Sequence, residues 1–129
     1  MTQSMKAILL VEDELLLREG VMENLEAHGY TVIGAGDGKE ALEWLDQTEI
    51  SLIITDLVMP NMNGVEFIKQ VRLKYPKVPI IVSSGSTDTV RSRLGINNIN
   101  VPGASASIMK PFKSKELVDL VEKVMSEQV

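Results

Sequence analysis

A doubly wound α/β fold, with a five-stranded parallel sheet and five helices, is predicted by three features of the sequence. Short, continuous apolar runs alternate with longer segments whose apolar residues recur at helical spacing. The runs lack the polar alternation of a half-exposed strand, which indicates strands covered on both faces. Each run is followed by turn residues and then by a helical pattern, so successive strands are joined by helices and lie parallel.

In the first half of the chain, apolar periodicity separates three strands from two helices. Leu17, Val21 and Leu25 recur every four residues, which is the spacing of a helical stripe. This helix ends at His28-Gly29, because glycine suits the first residue beyond a helix. The strands are predicted at residues 7–11, 31–33 and 52–54, and the second helix at residues 41 to about 47.

The second half of the chain repeats the pattern. A helix is predicted from Gly64 to about Tyr75, and two prolines bracket the turn after it because neither extends a helix or joins a central strand. Ser114 is expected to be the N-cap of the last helix. Strands are predicted at residues 80–82 and 106–109, and a short helix is predicted before a loop at residues 93–102.

Composition narrows the class of protein. The 129 residues predict one domain spanning 1–129, and the lack of cysteine excludes disulfides and cysteine-based metal sites. No apolar run approaches the ~20 residues of a membrane span, so we expect a cytoplasmic protein without a membrane partner. Residues 1–56 carry 12 acids and 3 bases (−9), and residues 57–129 carry 6 acids and 10 bases (+4). This balance argues against nucleic-acid binding by this domain.

Polar side chains follow four of the five predicted strands. Glu12 and Asp13 come after the first strand, Asp56 after the third, Ser84 after the fourth and Lys110 after the fifth. The carboxyl ends of parallel strands meet at one edge of a sheet, so these residues should form a site. Clustered carboxylates stay ionised only beside a cation, and oxygen ligands favour Mg²⁺. A carboxylate can also act as a nucleophile and form an aspartyl phosphate, for which Asp56 is the best placed.

Each of these residues has a structural explanation when it is taken alone. Glu12 and Asp13 would cap the first helix, Ser84 would satisfy backbone groups, and Lys110 would be a solvated charge. None of these explanations predicts that the residues meet at one edge of the sheet.

Three glycines after the second strand, at positions 34, 36 and 38, suggest a nucleotide-binding loop, but their spacing does not fit one. Lys39 stands where the third glycine of a dinucleotide motif belongs, and Glu40 stands where a P-loop requires Ser or Thr. The sequence assigns these glycines no ligand.

In its site residues the chain resembles the receiver domain of two-component response regulators, and the resemblance covers nearly the whole chain. It is carried by Val11-Glu12-Asp13-Glu14, by residues 56–64 (DLVMPNMNG), by Ser84-Gly85 and by Lys110-Pro111-Phe112. The resemblance implies a flavodoxin-like sheet with strand order 2-1-3-4-5. It also implies a phosphorelay signalling protein that is not an enzyme, beyond catalysing its own phosphorylation and slow dephosphorylation.

The resemblance further implies a Mg²⁺ site. Asp13 would bind the ion directly and Glu12 would bind it through water. Asp56 and the backbone carbonyl of Val58 would complete the protein's share of the ligands.

The same resemblance implies how the site handles phosphate. Asp56 would accept the phosphoryl group from a histidine kinase, a phosphotransfer protein or a small phosphodonor. Ser84 and Lys110 would then contact the phosphoryl oxygens, with a cis Lys110–Pro111 bond aiming the ammonium inward. Val58 and Ser86 would tune the lifetime of the phosphoryl group.

Two features depart from the pattern of the family. Ser107 stands where many receivers carry an aromatic residue, and the stretch from Ser84 to Gly103 is about one helical turn longer than the family implies. The downstream partner and a phosphorylation-dependent dimer therefore stay open. Three alternatives remain: a phosphatase-like hydrolase (although Val58 occupies the place of its general acid), a degenerate receiver that only docks, and a flavin-binding domain.

Overall fold

The computed structural model describes residues 7–59, 61–85 and 101–127, which contain five strands and four helices. The strands are β1 (Ala7–Val11), β2 (Val32–Ala35), β3 (Ile50–Asp56), β4 (Ile80–Ser84) and β5 (Ala106–Met109). The helices are α1 (Leu15–Ala27), α2 (Gly38–Gln47), α3 (Gly64–Lys74) and α4 (Ser114–Ser126).

The five strands form one parallel sheet in the order β2-β1-β3-β4-β5. This order confirms the doubly wound, flavodoxin-like α/β fold. The described residues contain four helices rather than the five predicted. The additional helix, expected between β4 and β5, lies outside the described residues, as do Ser86 and most of the predicted loop at residues 93–102.

Two apolar layers sandwich the sheet, and successive strand residues alternate between them. Leu9 packs on the face covered by α2 and α3, whereas Leu10 packs on the face covered by α1 and α4. Because both faces are covered, all five residues of β1 are buried. This arrangement is the reason why the predicted strands read as continuous apolar runs. None of the described helices has the length and apolarity needed to cross a membrane.

Three local predictions are wrong. Asp56 and Ser84 do not follow β3 and β4 but are the last residues of these strands. The ladder continues through polar residues, so Asp56 pairs with Ser83 and Ser84 pairs with Met109. Ser114 is the first residue of α4 and not its N-cap. The N-cap is Lys113, whose backbone N–H donates a hydrogen bond to the Glu116 side chain at 2.9 Å, so the helix starts one residue earlier than predicted.

Candidate functional site

Glu12 and Asp13 lie directly beyond β1, at the carboxyl edge of the sheet. Glu12 is only 4% exposed, because its backbone N–H continues the ladder by donating to Ala35 at 2.9 Å. Its side-chain Oε2 accepts a hydrogen bond from the backbone N–H of Glu14 at 3.2 Å. Asp13 is exposed. The predicted alternative of helix capping is wrong, since α1 has no side-chain cap and Glu14 occupies its N-cap position.

Asp56 ends β3 and is 8% exposed. Its Oδ1 accepts a hydrogen bond from the backbone N–H of Leu57 at 2.7 Å, which fixes the carboxylate. Helix α3 starts against this turn, and the N–H of Gly64 donates to the Leu57 carbonyl at 2.7 Å. A Cβ on Gly64 would overlap the Asp56 carbonyl oxygen and would lie 2.7 Å from the Leu57 Cα. A residue without a side chain therefore allows the helix to approach the site.

The Lys110 ammonium forms ion pairs with two buried acids, Glu12 and Asp56. Its Nζ lies 2.6 Å from Glu12 Oε1 and 3.0 Å from Asp56 Oδ2. The Lys110 backbone N–H donates to the Ser84 carbonyl at 2.6 Å, which extends the pairing between β4 and β5 to the site. The Lys110–Pro111 peptide bond is cis, as predicted. One ammonium therefore connects the ends of β1, β3 and β5.

For both Glu12 and Lys110, burial and the neighbouring charged groups shift the pKa in opposite directions. Burial is the largest influence on Glu12 and raises the pKa of its carboxyl, although hydrogen bonds from Lys110 and Glu14 oppose the rise. Burial disfavours the Lys110 ammonium, but the hydrogen bond to Glu12 and the charge of Asp56 outweigh this cost and raise the pKa of Lys110. Lys110 is therefore charged across the physiological pH range.

Glu12, Asp13 and Asp56 form a carboxylate cluster. One oxygen from each residue lies within 4.8 Å of the others. Oxygen-only donors suit a hard divalent ion such as Mg²⁺, which commonly takes few carboxylates and completes its shell with water and phosphate oxygens. The donor set of this cluster fits Mg²⁺. Val58 is half-buried two residues after Asp56, and the role of its carbonyl stays a prediction.

Ser84 ends β4 and is 1% exposed. Its Oγ has no hydrogen-bond partner within the described parts of the chain. A buried hydroxyl without a partner is costly, and it marks a place where a ligand atom would satisfy the group. Ser107, in contrast, is exposed on β5, so it does not line the interior.

Sequence reasoning missed two contributors to the site. The Leu57 N–H has no sequence signal, because every residue except proline carries a backbone donor. Gly64 did offer a signal, since a glycine at the first position of a helix is unusual unless another segment approaches closely.

Comparison with known proteins agrees with the geometry. The sequence model of one protein family, the response regulator receiver domain, matches residues 8–122. The sensor kinase CckA of Brucella abortus is 32% identical over 123 residues, which cover 94% of this chain. The DNA-binding response regulator MtrA of Mycobacterium tuberculosis is 38% identical over 111 residues, or 86% of this chain. The solved structure of the chemotaxis protein CheY4 of Vibrio cholerae has a TM-score of 0.79 and 31% identity, and the match covers 94% of this chain and 99% of CheY4.

The curated relatives are longer than this chain. The match covers 46% of MtrA and 13% of CckA. It therefore concerns one module of those proteins.

Proposed function

The chain belongs to the response regulator receiver domain family of two-component systems, and we propose on this premise that it is a switch operated by phosphorylation of Asp56. The observation that carries the proposal is the Lys110 ammonium held between two buried carboxylates, 2.6 Å from Glu12 and 3.0 Å from Asp56. Phosphoryl transfer depends mainly on positioning and on neutralising charge, and this arrangement supplies both.

The proposed reaction takes place on the Asp56 carboxylate. One of its oxygens attacks the phosphorus of a phosphohistidine, so an O–P bond forms while the N–P bond breaks. The electron pair of the broken bond stays on the imidazole nitrogen, which takes up a proton from solvent. The hydrogen bond from the Leu57 N–H orients the carboxylate by holding one of its oxygens at 2.7 Å.

Glu12, Asp13 and Asp56 are proposed to hold Mg²⁺, with the Val58 carbonyl as a further ligand. The support is the oxygen-only carboxylate cluster, whose oxygens lie within 4.8 Å of one another. When bound, Mg²⁺ would neutralise charge on the phosphoryl oxygens. The deeply buried Glu12 is held by Lys110 and by the Glu14 N–H, so exposed Asp13 is the residue with room for direct contact.

Lys110 and Ser84 are proposed to respond to the phosphoryl group. Lys110 would pair with one phosphoryl oxygen, and the Ser84 hydroxyl, which lacks a partner, would donate to another. A ligand shifts a conformational equilibrium only by the contacts that differ between the two states. A new hydrogen bond to Ser84 is such a contact, and it would link the phosphoryl group to the end of β4.

The wider biology follows from the family and is proposed with it. Residues 1–129 would form one receiver domain that acts in the cytoplasm as a regulator, and it would catalyse only its own phosphorylation and slow dephosphorylation. Its phosphodonor would be a histidine kinase or a phosphotransfer protein. One relative is a sensor kinase and another is a DNA-binding response regulator, so the receiver acts beside different partners in different proteins. Dimerisation of the phosphorylated domain is one way in which it would pass on the signal.

The proposal is tested by incubating the protein with acetyl phosphate and Mg²⁺ and measuring the mass of the intact chain. We expect a gain of one phosphoryl group, no gain for Asp56→Asn, and no gain when the metal is chelated. Asp46→Asn is a matched control, since Asp46 pairs with Lys74 away from the site and should leave labelling intact. Labelling that persists in Asp56→Asn would contradict the assignment. In a separate assay without acetyl phosphate, turnover of a phosphate ester beyond one equivalent would favour the hydrolase alternative.

A further inference from the structure

Arg18 reaches from α1 back to the β1–α1 connection. It lies in the first turn of α1, and its Nη1 donates to the backbone carbonyl of Glu12 at 2.7 Å. This carbonyl lies outside the helix, so the bond does not close a helical turn. A cation near the N-terminus of a helix is unfavourable to the helix dipole. Stabilisation of α1 therefore does not explain where the guanidinium lies.

Gly34, which lies within β2, and Gly36, which follows this strand, make room for the Arg18 side chain. A Cβ on Gly34 would lie 3.1 Å from Arg18 Cδ and 2.8 Å from Met22 Sδ, and a Cβ on Gly36 would lie 3.4 Å from Arg18 Nη1. The glycine-rich segment that fits no nucleotide motif thus provides the space through which Arg18 crosses the end of β2.

The carbonyl that accepts the Arg18 hydrogen bond links the two acidic residues Glu12 and Asp13. The Glu12 carbonyl belongs to the peptide unit that joins Glu12 to Asp13, and a peptide unit is planar. Fixing its oxygen fixes ψ of Glu12 and φ of Asp13 together, and these angles set the relative directions of the two carboxylates. The Glu12 N–H is already held by Ala35 at 2.9 Å, so Arg18 removes the remaining freedom on the other side of Glu12.

We propose that Arg18 is a positioning residue that holds Glu12 and Asp13 in the geometry required by the proposed Mg²⁺ site. This inference rests on the proposed function, because it concerns the same site. Partners of ligating residues commonly change metal affinity by about 10–100-fold when they are removed. Arg18 bonds the backbone of a ligand residue, so we expect an effect on the order of tenfold, at the lower end of that range.

The test compares three variants by calorimetric titration with Mg²⁺ alone. Arg18→Met keeps the apolar stem and loses the donors, and its dissociation constant for Mg²⁺ should rise on the order of tenfold. Arg18→Lys keeps a donor and should recover part of the loss. The control is Arg72→Met, because Arg72 also binds backbone carbonyls, at 2.6 Å from those of Val78 and Gly103. It should lower the melting temperature while leaving Mg²⁺ affinity unchanged.

A second readout does not depend on metal. The Asp13 amide nitrogen belongs to the same peptide unit as the Glu12 carbonyl, so its NMR shift in Mg²⁺-free protein should move in Arg18→Met and not in Arg72→Met. Gly34→Ala should also weaken Mg²⁺ binding by displacing the Arg18 stem, and its effect should largely vanish in the Arg18→Met background, since the two changes act through one contact.

The possible failures are distinguishable. If the wild-type chain neither binds Mg²⁺ nor accepts a phosphoryl group, the proposed function is wrong. If the wild-type chain does both, and folded Arg18→Met binds Mg²⁺ as tightly with an unmoved Asp13 amide, only the positioning role is overturned. Equal weakening by Arg72→Met would overturn it as well, because the effect would then reflect general stability.

Discussion

Replacing Gly64 by alanine tests how closely helix α3 is fitted to the site. The added Cβ would overlap the Asp56 carbonyl oxygen and would lie 2.7 Å from the Leu57 Cα. Both obstacles are backbone atoms, so no side-chain rotation relieves them. Either α3 moves outward or the end of β3 shifts, and the second response displaces the Asp56 carboxylate.

The expected cost follows from this geometry. Overpacking typically costs about 1–3 kcal/mol, and contacts with backbone belong at the upper end of that range. The higher helix propensity of alanine relative to glycine offsets at most about 1 kcal/mol of this cost. The free energy of unfolding should therefore fall by about 2 kcal/mol. For a chain of 129 residues this is roughly a 6–10 °C fall in melting temperature.

Gly20→Ala is the matched control, because Gly20 lies inside α1 and its Cβ would have no neighbour within 4 Å. It should raise the free energy of unfolding by about 0.5–1 kcal/mol. Urea denaturation compares the two variants, and phosphorylation by acetyl phosphate reports on Asp56, where a small displacement can slow the reaction by up to about 100-fold. A Gly64→Ala protein as stable and as reactive as the wild type would refute the close-approach reasoning.

Three further predictions concern individual site residues. Burial raises the pKa of Glu12 above its usual 4.5, so its contribution to stability is full below about pH 4.5 and is lost as the pH rises through the raised pKa. The unfolding free energy of Glu12→Gln relative to wild type should therefore increase with pH above about 4.5 in urea titrations, and a difference independent of pH would contradict this. Ser84→Ala removes a buried hydroxyl without a partner and should stabilise the unphosphorylated protein by up to about 1 kcal/mol, whereas a loss of that size in the same titrations would argue for a hidden partner. Mg²⁺ at about 100 times its dissociation constant should raise the free energy of unfolding by about 2.7 kcal/mol, and this gain should disappear in Asp13→Ala; a gain that survives the substitution would place the ion elsewhere.

The fold could be predicted largely from the sequence, because burial on both faces leaves a clear apolar run. Strand β1 has the predicted bounds. Strand β3 runs from Ile50 to Asp56, whereas its apolar core predicted only residues 52–54. The additional residues are held by pairing with β1 and β4, and backbone pairing does not require an apolar side chain.

The convergence of the site residues was also predictable, because parallel strands share a carboxyl edge. Lys110 does contact Glu12 and Asp56. The path of Arg18 was not predictable, since it depends on how α1, β1 and β2 pack together and not on any local pattern. The N-cap of α4 was misassigned for a similar reason, because a glutamate three residues away provides the capping contact.

The central claim is that one carboxylate of the cluster, that of Asp56, receives the phosphoryl group. After treatment with acetyl phosphate and Mg²⁺, borohydride reduction converts a phosphorylated aspartate into homoserine, and peptide sequencing by mass spectrometry locates it. The account predicts homoserine at position 56 and unmodified acids at Glu12 and Asp13. A reduced residue at either of those positions, or none anywhere in a chain that binds Mg²⁺, would contradict it.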